Sequence, residues 1–558
     1  MSIQLVLSHY LAGFRERDEL DALLPELLKA MGHSVLSRPQ IGVGQAGVDV
    51  VSTKKNDQDV LEVFLFVIKF GDVGREDFYG GKQAIDPSIR EAANDFVRNR
   101  LPKSLGGLQK RIVLLTNGEL KQEAQSSYAA LSKDIGERPL CSLEFWGTDQ
   151  LTPLIEQHLF DEALLLATGK SDLRAALAGL EESDTSIRRF VRFANACFKV
   201  PEKESTQSAA TRKRKFLKRC ATAAMGWGVL LVWGKNEDNL KPGVVAGEYM
   251  VLRLWSEAVK AGFQDDAAFE KRLQAVVPLH IRSLLDYYAK TAAQLLSCRA
   301  VLGYRPDRIL YAELMFEEFG RLATLLLLLQ CQEGQETLRT EAHRLLVRLV
   351  NEHTGCHLPV YDGQTIDITL VLTALMGEHD WASAKRMLGN SVARLQRAVK
   401  TDQYLPVDTD VLEDAVALCT TGGAEPREFF QTSTLVPALA TFAALLQDEE
   451  SLRCLREEVE PHLQDVTLER WFPTVELETL TGSKRGVPDV GVSRAVAGGR
   501  ATIAEESEAS LRPFVGAAGP RDFKWHDKPW AILVALSSRL HRHPLPTWFI
   551  AQYAPQSE

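Results

Sequence analysis

Two short segments carry side chains that could act on one reacting group. Gly47-Val48-Asp49-Val50-Val51 reads as a strand with an acid near its start, and Phe64-Leu65-Phe66-Val67-Ile68-Lys69 as an apolar strand ending on a lysine. Acids and a lysine on the ends of neighbouring strands suit metal-assisted cleavage of a phosphodiester. Carboxylates hold a hard divalent cation such as Mg²⁺, which lowers the pKa of a bound water and stabilises charge on the phosphate. A lysine is a point charge that orients the water or neutralises the developing oxyanion. Residues two apart in a strand share a face, so an acid and a lysine separated by one residue would point the same way.

The elements that must position these groups can be read from apolar spacing. Leu20, Leu23, Leu24, Leu27, Leu28 and Met31 recur at helical intervals and Gly32 ends the run. Residues 33–36 read as a short strand, 39–47 with three glycines as a turn, 48–52 as a second strand, 54–59 as a polar turn and 60–70 as a long strand for a sheet centre. A helix is expected over 82–99, a strand over 111–116, a helix over 120–131, a strand over 143–146 and a helix over 148–158. The order α-β-β-β-α-β-α-β-α predicts a mixed-sheet α/β sandwich, because three strands come in succession. Beyond about residue 165 helical stripes dominate as far as 475, with clear runs at 284–296, 312–329, 338–350 and 411–419 and no repeat of fixed period.

In these pieces and their order the first 165 residues resemble the PD-(D/E)xK nuclease superfamily, especially its Mrr-like restriction endonucleases. The helix ending in Met31-Gly32-His33, the Gly47-Val48-Asp49 strand, Ile68-Lys69 and Lys69-Phe70-Gly71-Asp72 carry the likeness. So do Gln83-Ala84-Ile85-Asp86-Pro87-Ser88, Val113-Leu114-Leu115-Thr116-Asn117-Gly118 and Leu143-Glu144-Phe145-Trp146. The resemblance implies a restriction-endonuclease-like domain, Mg²⁺ or Mn²⁺ as cofactor and DNA as substrate, in a prokaryotic restriction or anti-phage setting. It makes Asp49 a metal ligand and Lys69 the residue that assists the water. The family's second acid, or the glutamine of Mrr-like members, belongs at position 67, and this chain has Val67, which cannot bind a metal. Glu62 lies on the same strand but faces the other way by alternation; Asp72 follows the strand. Gln83 or Glu91 could supply the ligand from the next helix, as some members do. Glu19 and Glu26, seven apart on the first helix, could each reach the site. Asp49 and Lys69, with Glu26 or Gln83 completing the set and Glu26 the second metal ligand, form the expected site. The competing expectation is a degenerate nuclease fold that binds DNA or scaffolds an assembly.

Two further groupings could carry chemistry. Arg212-Lys213-Arg214-Lys215 with Lys218 and Arg219 is the densest basic cluster; it could meet phosphate or be a solvated helix start. His353, Cys356 and His357, with His379, lie close in sequence, but their spacing matches no zinc pattern. No phosphate-cradling glycine motif opens a helix, which leaves ATP or NAD use without support.

Bulk composition bounds the rest. The chain has 558 residues, is 45% hydrophobic and 25% charged, and carries a formal net charge of −9, so it is not coated in positive charge, although a local basic groove is compatible with it. The eight cysteines are dispersed, without a CxxC pair or a secreted disulfide pattern. No secretory signal opens the sequence and no apolar run reaches the roughly 20 residues of a membrane helix, so a cytoplasmic protein that does not enter membranes is expected. The expected organisation is a nuclease-like domain over 1–165, a helical region over 166–475 for sensing or for binding a partner protein or a second copy, a linker-like segment over 476–520, and an aromatic segment over 521–558 that docks back.

Overall fold

The computed structural model describes residues 3–14, 19–37, 47–56, 58–80, 84–159, 169–305, 307–401, 406–409, 412–413, 415–416, 430–482, 491–495, 519–526 and 532–555. The chain forms two compact units, one of residues 1–246 and 267–279, the other of residues 247–266 and 280–558.

The first unit begins with helices α1 (Gln4–Leu11) and α2 (Asp21–Ala30), then strands β1 (Ser34–Ser37), β2 (Val50–Lys55) and β3 (Leu61–Lys69). Helix α3 (Arg75–Tyr79) and helix α4 (Ile85–Glu91) follow, and α4 runs on as a π-helical stretch, Ala92–Arg100. Strand β4 (Gln109–Thr116), helix α5 (Gln122–Gly136), strand β5 (Cys141–Trp146) and helix α6 (Thr148–His158) complete the α/β part. The five strands lie in sequence order; β1, β2 and β3 pair antiparallel, whereas β3, β4 and β5 pair parallel. The expected mixed sheet is therefore present, and β3 is the strand at which pairing changes sense.

Strand β3 is buried on both faces, which is why its sequence is a nearly unbroken apolar run rather than an alternating one. On one face Val63, Leu65 and Val67 join Val51, Ile112, Leu114 and Leu143 against Phe78, Ile85, Ile89, Ala92, Leu131 and Ile135 of the covering helices. The other face carries Phe64, edge-on to His33 with ring centres 4.8 Å apart, and Phe66, edge-on to Trp146 at 5.4 Å. The α/β part leads into helices α7 (Lys170–Ala178), α8 (Ser183–Cys197) and α9 (Ala209–Asn236), which pack on one another, with α9 also lying along α1. Helices α10 (Lys241–Ala261) and α11 (Ala267–Leu295) each pass through the unit boundary.

The second unit is mostly helical, as the sequence predicts. It contains α12 (Cys298–Tyr304), α13 (Arg308–Gln330), α14 (Glu336–Glu352), α15 (Thr365–Gly377), α16 (Trp381–Lys400), α17 (Leu435–Leu445), α18 (Glu449–Cys454), α19 (Leu477–Leu480), α20 (Leu533–His541) and α21 (Thr547–Ala551). Most of the run expected at 411–419 lies outside the described residues. The expected linker holds a strand: β6 (Thr432–Ser433) pairs parallel with β7 (Thr467–Pro473), which pairs antiparallel with β8 (Gly491–Ala495). Five residues as short as Gly-Val-Ser-Arg-Ala carry no alternation of their own, and their ladder is supplied by β7. Among the described residues no helix is long and apolar enough to cross a membrane.

Buried charge organises this unit. Arg321 is fully buried, donates to Glu317 at 2.6 Å and to Glu318, and lies 3.8 Å from Glu248, which also accepts from Arg539. Tyr287 and Tyr288 donate to the Glu318 carboxylate at 2.9 and 3.1 Å. Glu478 takes the backbone N–H groups of Lys524 and Trp525, both at 2.8 Å, and the indole N–H of Trp255 at 3.0 Å. Burial is the main cause that pushes the Glu478 carboxyl above its ordinary range. Trp525, fully buried, stacks on Trp255.

Candidate functional site

The segment entering β2 is placed by Gly47. Its φ is +77°, and a Cβ there would stand 2.3 Å from the carbonyl oxygen of Ser88 on α4, so backbone packs on backbone and only glycine fits. Two residues later the Asp49 amide donates to the Phe66 carbonyl at 2.8 Å, and the Asp49 carboxylate accepts from the Ile68 amide at 2.7 Å. Strand β2 begins only at Val50, opposite Phe66, so the carboxylate takes the next donor on that edge of β3. That gives Asp49 a role in extending the ladder.

Lys69 ends β3 beside Thr116 of β4 and is half-buried. Lys69 shares with Val67 the face of the sheet covered by α4 and its π-helical extension, whereas Asp49 precedes β2 and turns its carboxylate to the Ile68 backbone amide at the edge of β3. Val67 itself is 1% exposed and sits among the apolar side chains of that core, so the position between the two polar groups is part of the hydrophobic packing.

The strand ends around Lys69 are laced together. The Thr116 hydroxyl donates to the Gly71 carbonyl at 2.5 Å, and the buried Asn117 side chain accepts from the Gly71 amide at 2.8 Å. The same amide group donates to the carbonyls of Leu11 and Phe14 at 2.8 and 3.1 Å, tying α1 to the sheet. A Cβ on Gly118 would lie 2.3 Å from the Gly71 backbone, so the loops after β3 and β4 touch directly. Sequence reading missed this lacing, although Thr116-Asn117-Gly118 directly after a strand was its signal.

The other expected site residues are dispersed. Glu26 is about half exposed and pairs with Lys29 at 3.2 Å, and no residue of α2 belongs to the core around Val67. The observed setting of Glu26, expected to complete a metal shell with Asp49, is an exposed i,i+3 pair on a helix outside that core. Glu19 is buried and paired with Lys218 of α9. Asp72 is exposed and accepts from the Glu119 amide at 3.1 Å. Glu91 ends α4 exposed. Glu62 lies on the opposite face of β3 from Lys69, as alternation predicts, and receives Arg111 at 2.7 Å; Arg111 also reaches Glu144 at 2.7 Å. These two carboxylates, Glu62 foremost, raise the Arg111 pKa above its ordinary value. Gln83 lies outside the described residues. Among the described residues no three of His, Cys, Asp and Glu come together so as to hold a metal ion. Among the described residues, the donors near Lys69 therefore do not fit the Mg²⁺ or Mn²⁺ that the resemblance implies: one carboxylate engaged by a backbone amide, a valine and a lysine.

The remaining groupings resolve structurally. His353 accepts from or donates to the Tyr311 hydroxyl at 2.5 Å and meets the Leu295 carbonyl at 2.7 Å, and His357 meets the Val350 carbonyl at 3.0 Å. Burial lowers the pKa of both rings, which suits neutral imidazoles inside a helical core. In the basic cluster, Arg219 grips the buried Glu204 at 2.6 and 2.9 Å and Lys218 pairs with Glu19, whereas Arg212 and Arg214 are exposed. Comparison with protein-family models, with curated proteins and with solved structures returns no match for this chain.

Proposed function

We propose that the α/β part of this chain is a restriction-endonuclease-like module of the PD-(D/E)xK superfamily that binds DNA without cutting it, with the helical region serving target sensing or assembly. The strand order, with β3 antiparallel to β2 and parallel to β4, an acid entering β2 and a lysine ending β3, supports the fold assignment. The observation that carries the non-cutting reading is Val67. The place of the second acid is filled by a 1% exposed side chain of the hydrophobic core, and the Asp49 carboxylate serves the Ile68 amide.

The test is retention and cleavage of duplex DNA by the full chain with Mg²⁺ or Mn²⁺, beside Asp49→Ala and Lys69→Ala. Wild type is expected to retain linear duplex at low salt and to leave plasmid intact. A second reading, a live metal-dependent DNA endonuclease of a restriction or anti-phage system, is favoured by the acid at the entry to β2 and the lysine that ends the neighbouring β3. Metal-dependent cutting that is lost in both variants would establish it and overturn the first reading.

A further inference from the structure

We infer that the DNA-binding surface of this chain is a basic patch formed by the start of α9 and the start of α11, recognising the phosphate backbone of a duplex; this rests on the DNA-binding reading above. Phe216 of α9 and Phe269 of α11 meet with ring centres 5.8 Å apart, which brings the two helix starts together within the first unit. Within about a turn of that ring pair lie Arg212, Lys213, Lys215 and Arg219 on one helix and Lys271 and Arg272 on the other. His9 of α1 faces the same ground: burial, then Arg272 and Lys271, lower its pKa to about 4.

The facing acids do not cancel this charge. Counting Arg214 and Lys218 as well, eight cations stand against five carboxylates: Glu204, which holds Arg219 and Lys215; Glu19, which holds Lys218; Glu270 in the first turn of α11; and Asp265 and Asp266, which immediately precede that helix. Arg212, Arg214 and Lys271 are exposed. The chain as a whole carries −9, so the patch is a local reversal of sign, the electrostatic footprint of a polyanion site. The first turn of α9 also holds no acid and does hold Arg212, against the preference of a helix start for negative charge. A bound phosphate would reverse that penalty. Both rings at the junction are buried, at 3% and 1% exposure, so they offer no stacking platform for unpaired bases. Charge without exposed aromatics favours the backbone of a duplex over a single strand.

The experiment measures binding of the full chain to a fluorescent duplex across a salt series, with Arg212→Ala/Arg214→Ala/Lys271→Ala and Lys69→Ala as variants and thermal melting as the folding control. The triple variant should melt as wild type does, bind roughly 10²-fold more weakly at 0.1 M salt, and lose about 2.7 from the slope of log K against log salt, about 0.9 for each phosphate contact. A triple variant that binds with unchanged affinity and slope, while Lys69→Ala is weakened, would overturn the patch and leave the DNA-binding reading standing. Wild type that binds no duplex at 50 mM salt would overturn both. Poly-L-glutamate competing as strongly as duplex would overturn the nucleic-acid assignment in favour of an acidic protein segment.

Discussion

Substitution of Asp49 separates a ladder-extending carboxylate from a metal ligand, because the two roles leave opposite thermodynamic signatures. The carboxylate accepts from the Ile68 amide at 2.7 Å, and Ile68 is 1% exposed. A hydrogen bond to a charged acceptor contributes about 1.5–3 kcal/mol, and a buried donor left without its acceptor costs a similar amount. Asp49→Ala should therefore destabilise the first unit by about 2 kcal/mol, whereas Asp49→Asn, which keeps an amide oxygen in place, should cost about 1 kcal/mol or less. In a unit of this size that places Asp49→Ala roughly 4–8 °C below wild type and Asp49→Asn within a few degrees of it. A metal ligand behaves otherwise: saturating Mg²⁺ at ~100 times its Kd would stabilise wild type by about 2.7 kcal/mol and neither variant. The assay is thermal or urea unfolding with and without millimolar Mg²⁺ or Mn²⁺. A metal-dependent rise in wild type that disappears in Asp49→Ala would refute the structural role assigned to this carboxylate.

Other perturbations test the remaining links. Val67→Thr keeps the shape but buries a hydroxyl in an apolar cluster, so urea unfolding should show a loss of about 1–3 kcal/mol; no loss would mean that position 67 faces a polar site. Gly47→Ala combines a φ of +77° with a Cβ 2.3 Å from the Ser88 carbonyl, and should cost more than about 2 kcal/mol in the same measurement. Arg321→Met leaves the fully buried Glu318 without its cation and should cost about 3–5 kcal/mol, with Glu318→Gln added to it recovering part of the loss in a double-mutant cycle. Burial lowers the pKa of His280 and His543 from 6.5 to about 3, so their contribution to stability is present in full above pH 6.5 and is lost as pH falls from there toward the folded values. Unfolding free energy should therefore fall by about 1.4 kcal/mol per pH unit for each histidine between pH 6 and 4, and His543→Asn should remove one proton from that slope.

How far the fold was legible depended on where its information lay. Strand β3 and helix α6 could be read directly, because a nine-residue apolar run and a capped amphipathic stretch each hold their signal locally. Helix α3, five residues long, could not, since it has no room for a periodicity; the helix expected over 82–99 covers α4 and its extension, but the π-helical winding of Ala92–Arg100 leaves no mark in the spacing. The expected strands agreed with β1 to β5 to within a few residues, and alternation correctly set Glu62 on the face of β3 opposite Lys69. The stripe shared by Glu19 and Glu26 states only that two residues look the same way, and says nothing of which sheet face the helix covers. The buried charge of the second unit was equally silent. Glu317, Glu318 and Arg321 sit in a run otherwise read as an apolar core helix, and their partners Glu248 and Arg539 come from distant parts of the chain.

The relation between Asp49 and Val67 shows how an acid can stand where the proposed nuclease resemblance would put a metal ligand and yet be accounted for by structure alone. An acid at the mouth of β2 satisfies a backbone donor that the shortened ladder would otherwise leave open, so Asp49 has a physical reason to be there whether or not a metal ever binds. Position 67 has no such second use for a carboxylate. It points into the layer between the sheet and α4, where a charge without a cation would be strongly disfavoured and a branched apolar side chain adds to the packing. Once no metal is held, valine is the more stable occupant and aspartate remains the better one at 49. The pattern that looks from the sequence like a nuclease site missing one residue is, on this argument, what the same sheet favours when only its structural requirements remain. On the DNA-binding reading proposed above, the contact would fall to exposed cations that the core does not employ, Arg212, Arg214 and Lys271.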